Sequence, residues 1–281
     1  MSAGHRPGGG HARLTPRSTL WKLAGAELLG TALLLGAGLS LVILDFGAGS
    51  PVVRWLPSPG ARRALTGFFF GCIGGGIALS GLGKISGAHL NPVVTLAFWA
   101  KKRMTAGLAC GYGLAQLAGA ALGALPLLLW GRMGRGLGYG GTWPGPGVSV
   151  WMAVGGEAAA TFALLAGLFL FLGRPRLRPF TPALFPFLYA WLVWWEAPLS
   201  GTSTNPARSF GPALVSENWR AWWVYWLGPG LGFLIALGVH ELAGLETKLR
   251  VGIAKIYHFE HDPHGIFQHM RRQRETQGRR K

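Results

Sequence analysis

Ser86-Gly87-Ala88-His89-Leu90-Asn91-Pro92-Val93 and Ser200-Gly201-Thr202-Ser203-Thr204-Asn205-Pro206-Ala207 are one pattern written twice, 114 positions apart (205 − 91 = 114). In each copy a turn-rich Ser-Gly-x-x-x run leads into Asn-Pro and then into an apolar segment, 91–100 or 205–215. Both segments are too short to cross a bilayer, and an apolar stretch of this length in a membrane protein is often re-entrant. Pro suits the first turn of a helix and Asn suits its cap. Each copy therefore predicts a half-helix whose N-terminus lies within a membrane.

Six long apolar stretches surround the two copies, at about 20–45, 64–83, 104–130, 150–172, 180–197 and 221–244. Each is near the ~20 residues that span a hydrocarbon core as a helix, and helix is the default because backbone in lipid must satisfy its own hydrogen bonds. The first stretch is too long for a signal peptide, lacks a small-residue cleavage site and precedes further spans. A second repeat, Glu27-x-x-x-Thr31 against Glu157-x-x-x-Thr161, pairs the first span with the fourth. Three spans per half force the halves to be inverted across the membrane. The two Asn-Pro helices then enter from opposite faces and meet tip to tip. The expected fold is thus all-α and integral to a membrane, with six transmembrane helices, two re-entrant half-helices and an inverted repeat. The channel domain covers 20–244, its halves about 20–130 and 150–244, between basic tails at 1–19 and 245–281.

Composition agrees. Charged residues are 13% of the 281 and hydrophobic ones 50%, with 46 Gly, which excludes a disordered chain and argues against an ordinary soluble enzyme. Thirteen Trp suit membrane interfaces. Two cysteines cannot make a disulfide framework. The net charge of +17 sits at the chain ends and in the breaks between apolar runs, so lipid headgroups are the expected partner and nucleic acid is not. With the N-terminus inside, the inner side collects Arg6, Arg13, Arg17, Lys22, Lys84, Lys101, Lys102, Arg103, Arg174, Arg176, Arg178 and the tail from Lys248 to Lys281. The outer side keeps Arg54, Arg62, Arg63, Arg132, Arg135, Arg208 and Arg220. The positive-inside bias therefore predicts a multi-pass protein of the plasma (inner) membrane with both termini cytoplasmic.

Each helix N-terminus carries about half a positive charge. Two of them aimed at one spot oppose the passage of cations, protons included. Asn91 and Asn205 offer amide donors there, and the turns at 86–90 and 200–204 offer backbone carbonyls, which are tolerated at this depth only along a watery cavity. The construction implies a pore for small neutral solutes that rejects ions. Arg208, just past Asn-Pro-Ala near the outer mouth, adds a cation that repels cations. No nucleophile–base pair, phosphate loop or metal-ligand spacing is visible, so no enzyme, cofactor or metal is expected. Glu27 and Glu157 read as the only acids well inside spans, and an intramembrane acid is a functional candidate. A secondary active transporter coupled through Glu27 or Glu157 is therefore the competing class, and a junction or scaffold protein with a closed pore is a third. Gly67-x-x-x-Gly71, Gly107-x-x-x-Gly111, Gly119-x-x-x-Gly123 and Gly228-x-x-x-Gly232 allow close helix contacts. In the second tail His258, His261, His264 and His269 read as solvated rather than as a metal site. Leu249, Ile253, Ile256 and Tyr257 with Lys248, Arg250 and Lys255 read as an amphipathic helix on the inner leaflet.

Over roughly 20–244 the chain resembles the major intrinsic protein family, the aquaporins and aquaglyceroporins. The resemblance rests on residues 86–93 and 205–213, on Glu27 and Glu157, on Tyr112-x-x-x-Gln116 and on Gly228-Pro229. It implies a homotetramer with one pore per subunit, conducting water or solutes such as glycerol, urea or metalloid acids. It implies pore motifs at Asn91, Pro92, Val93 and at Asn205, Pro206, Ala207, where Val93 departs from the usual Ala. Gly87, Ala88, His89, Leu90, Ser203 and Thr204 would line the pore with backbone, the His89 side chain being satisfied within its loop. Glu27 and Glu157 would buttress the loops. Counting without gaps from the two Asn residues, the selectivity filter falls on Gly71, Val193, Thr202 and Arg208. Gly71 and Val193 would leave it wide and apolar on two sides. A shift of one residue brings in Phe70 and Trp194 and narrows it.

Overall fold

A computed structural model describes residues 17–245 and 250–267. Most of the first basic tail, and Lys248, Leu249, His269 and Lys281 of the second, lie outside the described residues. In chain order the helices are α1 Arg17–Phe46, α2 Pro59–Leu79, the short α3 Pro92–Ala100, α4 Ala106–Ala124, α5 Val150–Gly173, α6 Thr181–Ser200, the short α7 Pro206–Ser216 and α8 Val224–Leu242. Minor helical turns join them.

Local chemistry explains the boundaries. The second span starts earlier than its apolar run because Ser58 caps it, accepting from Ala61 N at 3.3 Å, with Pro59 in the first turn. The third loses its α-helical ladder after Ala124 and runs on as a tighter helix, Leu125–Trp130, where Pro126 lacks an N–H. Asn91 and Asn205 cap α3 and α7, their Oδ1 atoms accepting from Val93 N at 2.9 Å and Ala207 N at 3.0 Å.

The helices pair as the repeat requires: α1 on α4, α5 on α8, and α2 on α6 joining the halves. Glycine sets each crossing. Cβ atoms at Gly119 and Gly123 would strike the carbonyls of Leu28 and Ala32, and one at Gly232 would strike that of Ala158. On α2 the glycines continue as Gly67, Gly71 and Gly75 beneath the carbonyls of Tyr189, Phe185 and Pro182. Gly107 and Gly111 meet open space, so among the described residues their spacing makes no close contact. Gly71→Ala forces a methyl into α6 backbone. It is expected to cost about 1–3 kcal/mol, read as a lower thermal midpoint in detergent, with the ratio of water to glycerol flux unchanged in the surviving protein.

The outer surface suits lipid. Leu29, Leu33, Leu114, Leu129, Phe187 and Leu234 are exposed around the bundle. At one end Trp151 and Trp223, Trp219 and Trp222, and Trp222 and Trp226 stand in ring contact at 5.8–6.0 Å, an interfacial aromatic belt.

Candidate functional site

The two turn-rich loops take the same unusual path. Gly87, Ala88 and Leu90 have φ of 93°, 55° and 53°; their repeat partners Gly201, Thr202 and Thr204 have 91°, 51° and 51°. Left-handed backbone is easy for Gly and costs other residues of order 1–3 kcal/mol each. Four non-glycine residues carry it here, and the surrounding bonds hold them. The alternation turns successive carbonyls away from an ordinary helical direction and leaves them without intrahelical partners.

A buried carboxylate holds each loop. Glu27 accepts from Ser86 Oγ at 2.6 Å and His89 N at 3.0 Å through Oε1, and from Leu90 N and Gln116 Nε2 at 2.8 Å through Oε2. Glu157 accepts from Ser200 Oγ at 2.5 Å and Ser203 N at 2.7 Å through Oε1, and from Thr204 N at 2.7 Å through Oε2. Tyr112 and Tyr225 repeat the symmetry, each donating its hydroxyl at 2.8 Å to the carbonyl of Ser86 or Ser200. The loops are also tied to each other. Asn91 Nδ2 donates to Thr204 O, and Asn205 Nδ2 to Leu90 O, both at 2.9 Å. One proton of each amide thus locks the tips of the half-helices together, and one remains.

Glu27 and Glu157 are not the only acids inside the bundle. Glu196 in α6 is fully buried, and its Oε1 lies 2.5 Å from the same Ser200 hydroxyl that Glu157 uses. A hydroxyl has one proton for two carboxyl oxygens, so one carboxyl must supply the other proton. Glu157 is committed to accepting from two backbone N–H groups, which leaves Glu196 as the donor. The repeat hides Glu196, because its counterpart in the first half is Leu82. Only the acid within hydrogen-bonding reach of Ser200, one turn on, signals it.

Among the described residues, two adjoining chambers lie between the helices. The outer one, about 260 Å³, has Val193, Thr202 and Arg208 in its wall, together with Phe70 and Tyr189. The inner one, about 60 Å³, is lined by Ala88, His89, Leu90, Asn91, Ser203 and Asn205, with Phe70, Tyr189 and Arg208 at its outer end. Phe70, Tyr189, Ser203 and Arg208 border both chambers and so form the constriction between them. The Phe70 and Tyr189 rings are 6.2 Å apart, Tyr189 being held by Thr204 Oγ1 at 3.0 Å. Arg208 is buried and donates to Gly140 O at 2.7 Å.

Of the four positions in the ungapped count only Arg208 lies where the chambers meet; Val193 and Thr202 border the outer chamber alone, and Gly71 the inner one. Gly71 touches the inner chamber, but its Cα hydrogens point at α6. Phe70, one residue or about 100° away, supplies the wall. Trp194 borders neither chamber, and its carbonyl accepts from Arg63 Nε at 3.2 Å. Val93, Pro92, Pro206 and Ala207 are buried against protein and border neither chamber, so the Val93 methyls act in packing alone. Gly87 and Thr204 also stay out of the inner wall. Thr204 O is taken by Asn91, and Gly87 O accepts from Ile256 N at 3.0 Å. The His89 ring is satisfied only partly within its loop. Nδ1 meets Thr95 Oγ1 at 3.2 Å and Nε2 meets Ala254 O at 3.0 Å.

Comparison with known proteins places this geometry. The family model described as Major intrinsic protein matches residues 15–240. The lens fiber major intrinsic protein of Gallus gallus is 34% identical over 240 residues, covering 80% of this chain and 82% of that protein. Aquaporin AqpM of Methanothermobacter marburgensis is 31% identical over 243 residues, covering 78% and 95%. Among solved structures, the aquaglyceroporin from Plasmodium falciparum shares the fold with a TM-score of 0.62 at 19% identity, covering 80% of this chain and 98% of that one.

Proposed function

Because the chain belongs to the major intrinsic protein family, we propose that its pore conducts water as the principal permeant and passes larger neutral solutes such as glycerol slowly. The protein is a passive multi-pass membrane channel for water or small neutral solutes, and not an enzyme. The observation that carries the narrower reading is the constriction of Phe70, Tyr189, Ser203 and Arg208 between the chambers. Two aromatic walls limit width, and donors come from one side, so a small solute that needs few partners passes best. Glu27 and Glu157 buttress the loops in this reading. A coupled carrier needs an acid that reaches its solute, and neither carboxylate borders a chamber. The reading extends to a homotetramer in the plasma (inner) membrane with both termini cytoplasmic. Lys84, Arg178 and residues 250–267 gather at one end, as that orientation asks. Stopped-flow light scattering on proteoliposomes, with water and glycerol measured in the same vesicles, tests the solute. A measurable glycerol flux equal to water flux overturns the narrow pore.

Ion exclusion follows from the two opposed helix N-termini and the buried Arg208. Arg208→Val removes the only full charge at the constriction. Proton leak under an imposed pH gradient is expected to rise measurably while water flux persists. Leak identical to wild type would take Arg208 out of the barrier.

A further inference from the structure

The inverted repeat makes the two pore mouths equivalent, yet the structure treats them differently. Beyond the Ser200–Thr204 loop lies the outer chamber, bordered by Gly201 and Thr202. The corresponding space beyond Ser86–Leu90 is occupied by the chain itself. After α8 the backbone returns, and Val251, Ile253, Ala254, Lys255 and Ile256 are buried at 0–5% exposure. This segment is irregular rather than the amphipathic helix expected from its sequence. Its apolar side chains pack against protein.

Its bonds go to the pore loop. Ile256 N donates to Gly87 O at 3.0 Å, the carbonyl expected to face the lumen. His89 Nε2 donates to Ala254 O at 3.0 Å, the Ile256 side chain borders the inner chamber, and a Cβ at Gly87 would lie 2.7 Å from Ala254 O. Lys255 Nζ, fully buried, donates to Lys84 O and to His261 O at 2.6 Å and sits 4.9 Å from the centre of the Phe267 ring. His258 Nε2 donates to Leu79 O at 2.9 Å. Asp262 closes the turn, accepting from Ile266 N at 2.9 Å and Phe267 N at 3.2 Å. The anchors thus reach the end of α2, the turn before the pore loop, and the loop itself.

We propose that residues 250–267 are an autoinhibitory plug that shuts the cytoplasmic mouth of the pore by seating Ala254 and Ile256 on Gly87 and His89, and that conduction requires its withdrawal. The proposal rests on the reading of the lumen as a water pore. Its test therefore carries one measurement that does not depend on flux. In a Cys72→Ser, Cys110→Ser background, Ala88→Cys places a thiol on the inner chamber wall beneath the plug. Labelling by a hydrophilic maleimide from the cytoplasmic side is compared between the full chain, the chain ending at residue 249, and the full-length Ile256→Asp and Lys255→Ala variants. The plug predicts slow labelling in the full chain and labelling faster by about tenfold in all three others. Water permeability per channel is expected to rise in parallel. Equal labelling in the full chain and in Ile256→Asp overturns the plug, and so does a measurable water permeability that is the same in the full and the truncated chain. Should truncation impair folding, the two point variants decide alone. Faster labelling with no water flux in any form upholds the plug and overturns the water-pore reading instead.

Discussion

Glu157→Ala is expected to abolish water flux and to destabilise the channel by about 3 kcal/mol or more, since three donors lose one acceptor and a buried unsatisfied donor costs about 1–3 kcal/mol. Ser200 Oγ, Ser203 N and Thr204 N all converge on this carboxylate. Thr202 and Thr204, held at positive φ on either side of Ser203, lose the anchor that keeps them there. Relaxation of either residue swings its carbonyl and breaks the Thr204–Asn91 bond that joins the half-helices. Glu157→Gln is milder than Ala but not silent. Both carboxylate oxygens accept backbone N–H groups, so whichever position the amide nitrogen takes, it faces a donor. Glu196→Gln is the control. A carboxamide N–H can replace the proton that Glu196 gives to Ser200, so flux is expected to stay near wild type. The readouts are the thermal midpoint in detergent and water permeability. The order Ala, then Gln, then Glu196→Gln, from most to least damaging, is the expected result. Flux that follows external pH and loses that dependence in Glu157→Gln would favour a coupled carrier.

The pore architecture was written twice in the chain, and that is why it could be read. Two Asn-Pro caps, two glutamates and three spans per half leave one arrangement that satisfies lipid. What stayed hidden is what the repeat does not duplicate. Glu196 has Leu82 as its counterpart, so matching the halves passes over it. The plug has no partner either, and its contacts join residues such as Ala254 and His89 that nothing local in the sequence connects. The positive φ of Ala88, Leu90, Thr202 and Thr204 is invisible because those residue types do not ask for it. The tertiary bonds to Glu27 and Glu157 impose it. The filter register is a different matter, since its signal was present. Gly67-x-x-x-Gly71 continues to Gly75, and a stripe of that length names a helix contact face. A residue on the α2–α6 crossing cannot also turn its side chain into the lumen, so Gly71 was already excluded by the spacing that made it conspicuous.

Phe70→Ala is expected to convert the narrow pore into a wide one, raising glycerol flux relative to water by about tenfold or more, the scale at which removing steric exclusion changes selectivity. Phe70 stands where the two chambers meet, its ring against Gly38 of α1 on one side and 6.2 Å from Tyr189 on the other. Truncation to a methyl widens the junction of the 260 Å³ and 60 Å³ spaces that Phe70 borders. The polar side of the constriction is untouched. Arg208 keeps its bond to Gly140 O, and the Asn91–Thr204 and Asn205–Leu90 bonds do not involve the ring. Proton exclusion is therefore expected to survive, which separates widening from collapse of the pore. Val193→His makes the opposite change. It adds a polar ring to the outer chamber wall, and glycerol flux is expected to fall while water flux holds. Water, glycerol and proton flux are measured in proteoliposomes of the chain ending at residue 249, so that the plug does not set the rate. An unchanged glycerol-to-water ratio in Phe70→Ala would mean that the pore passes the Gly71 side of α2, which requires that helix to be rotated by about 100° and its glycine stripe to leave α6.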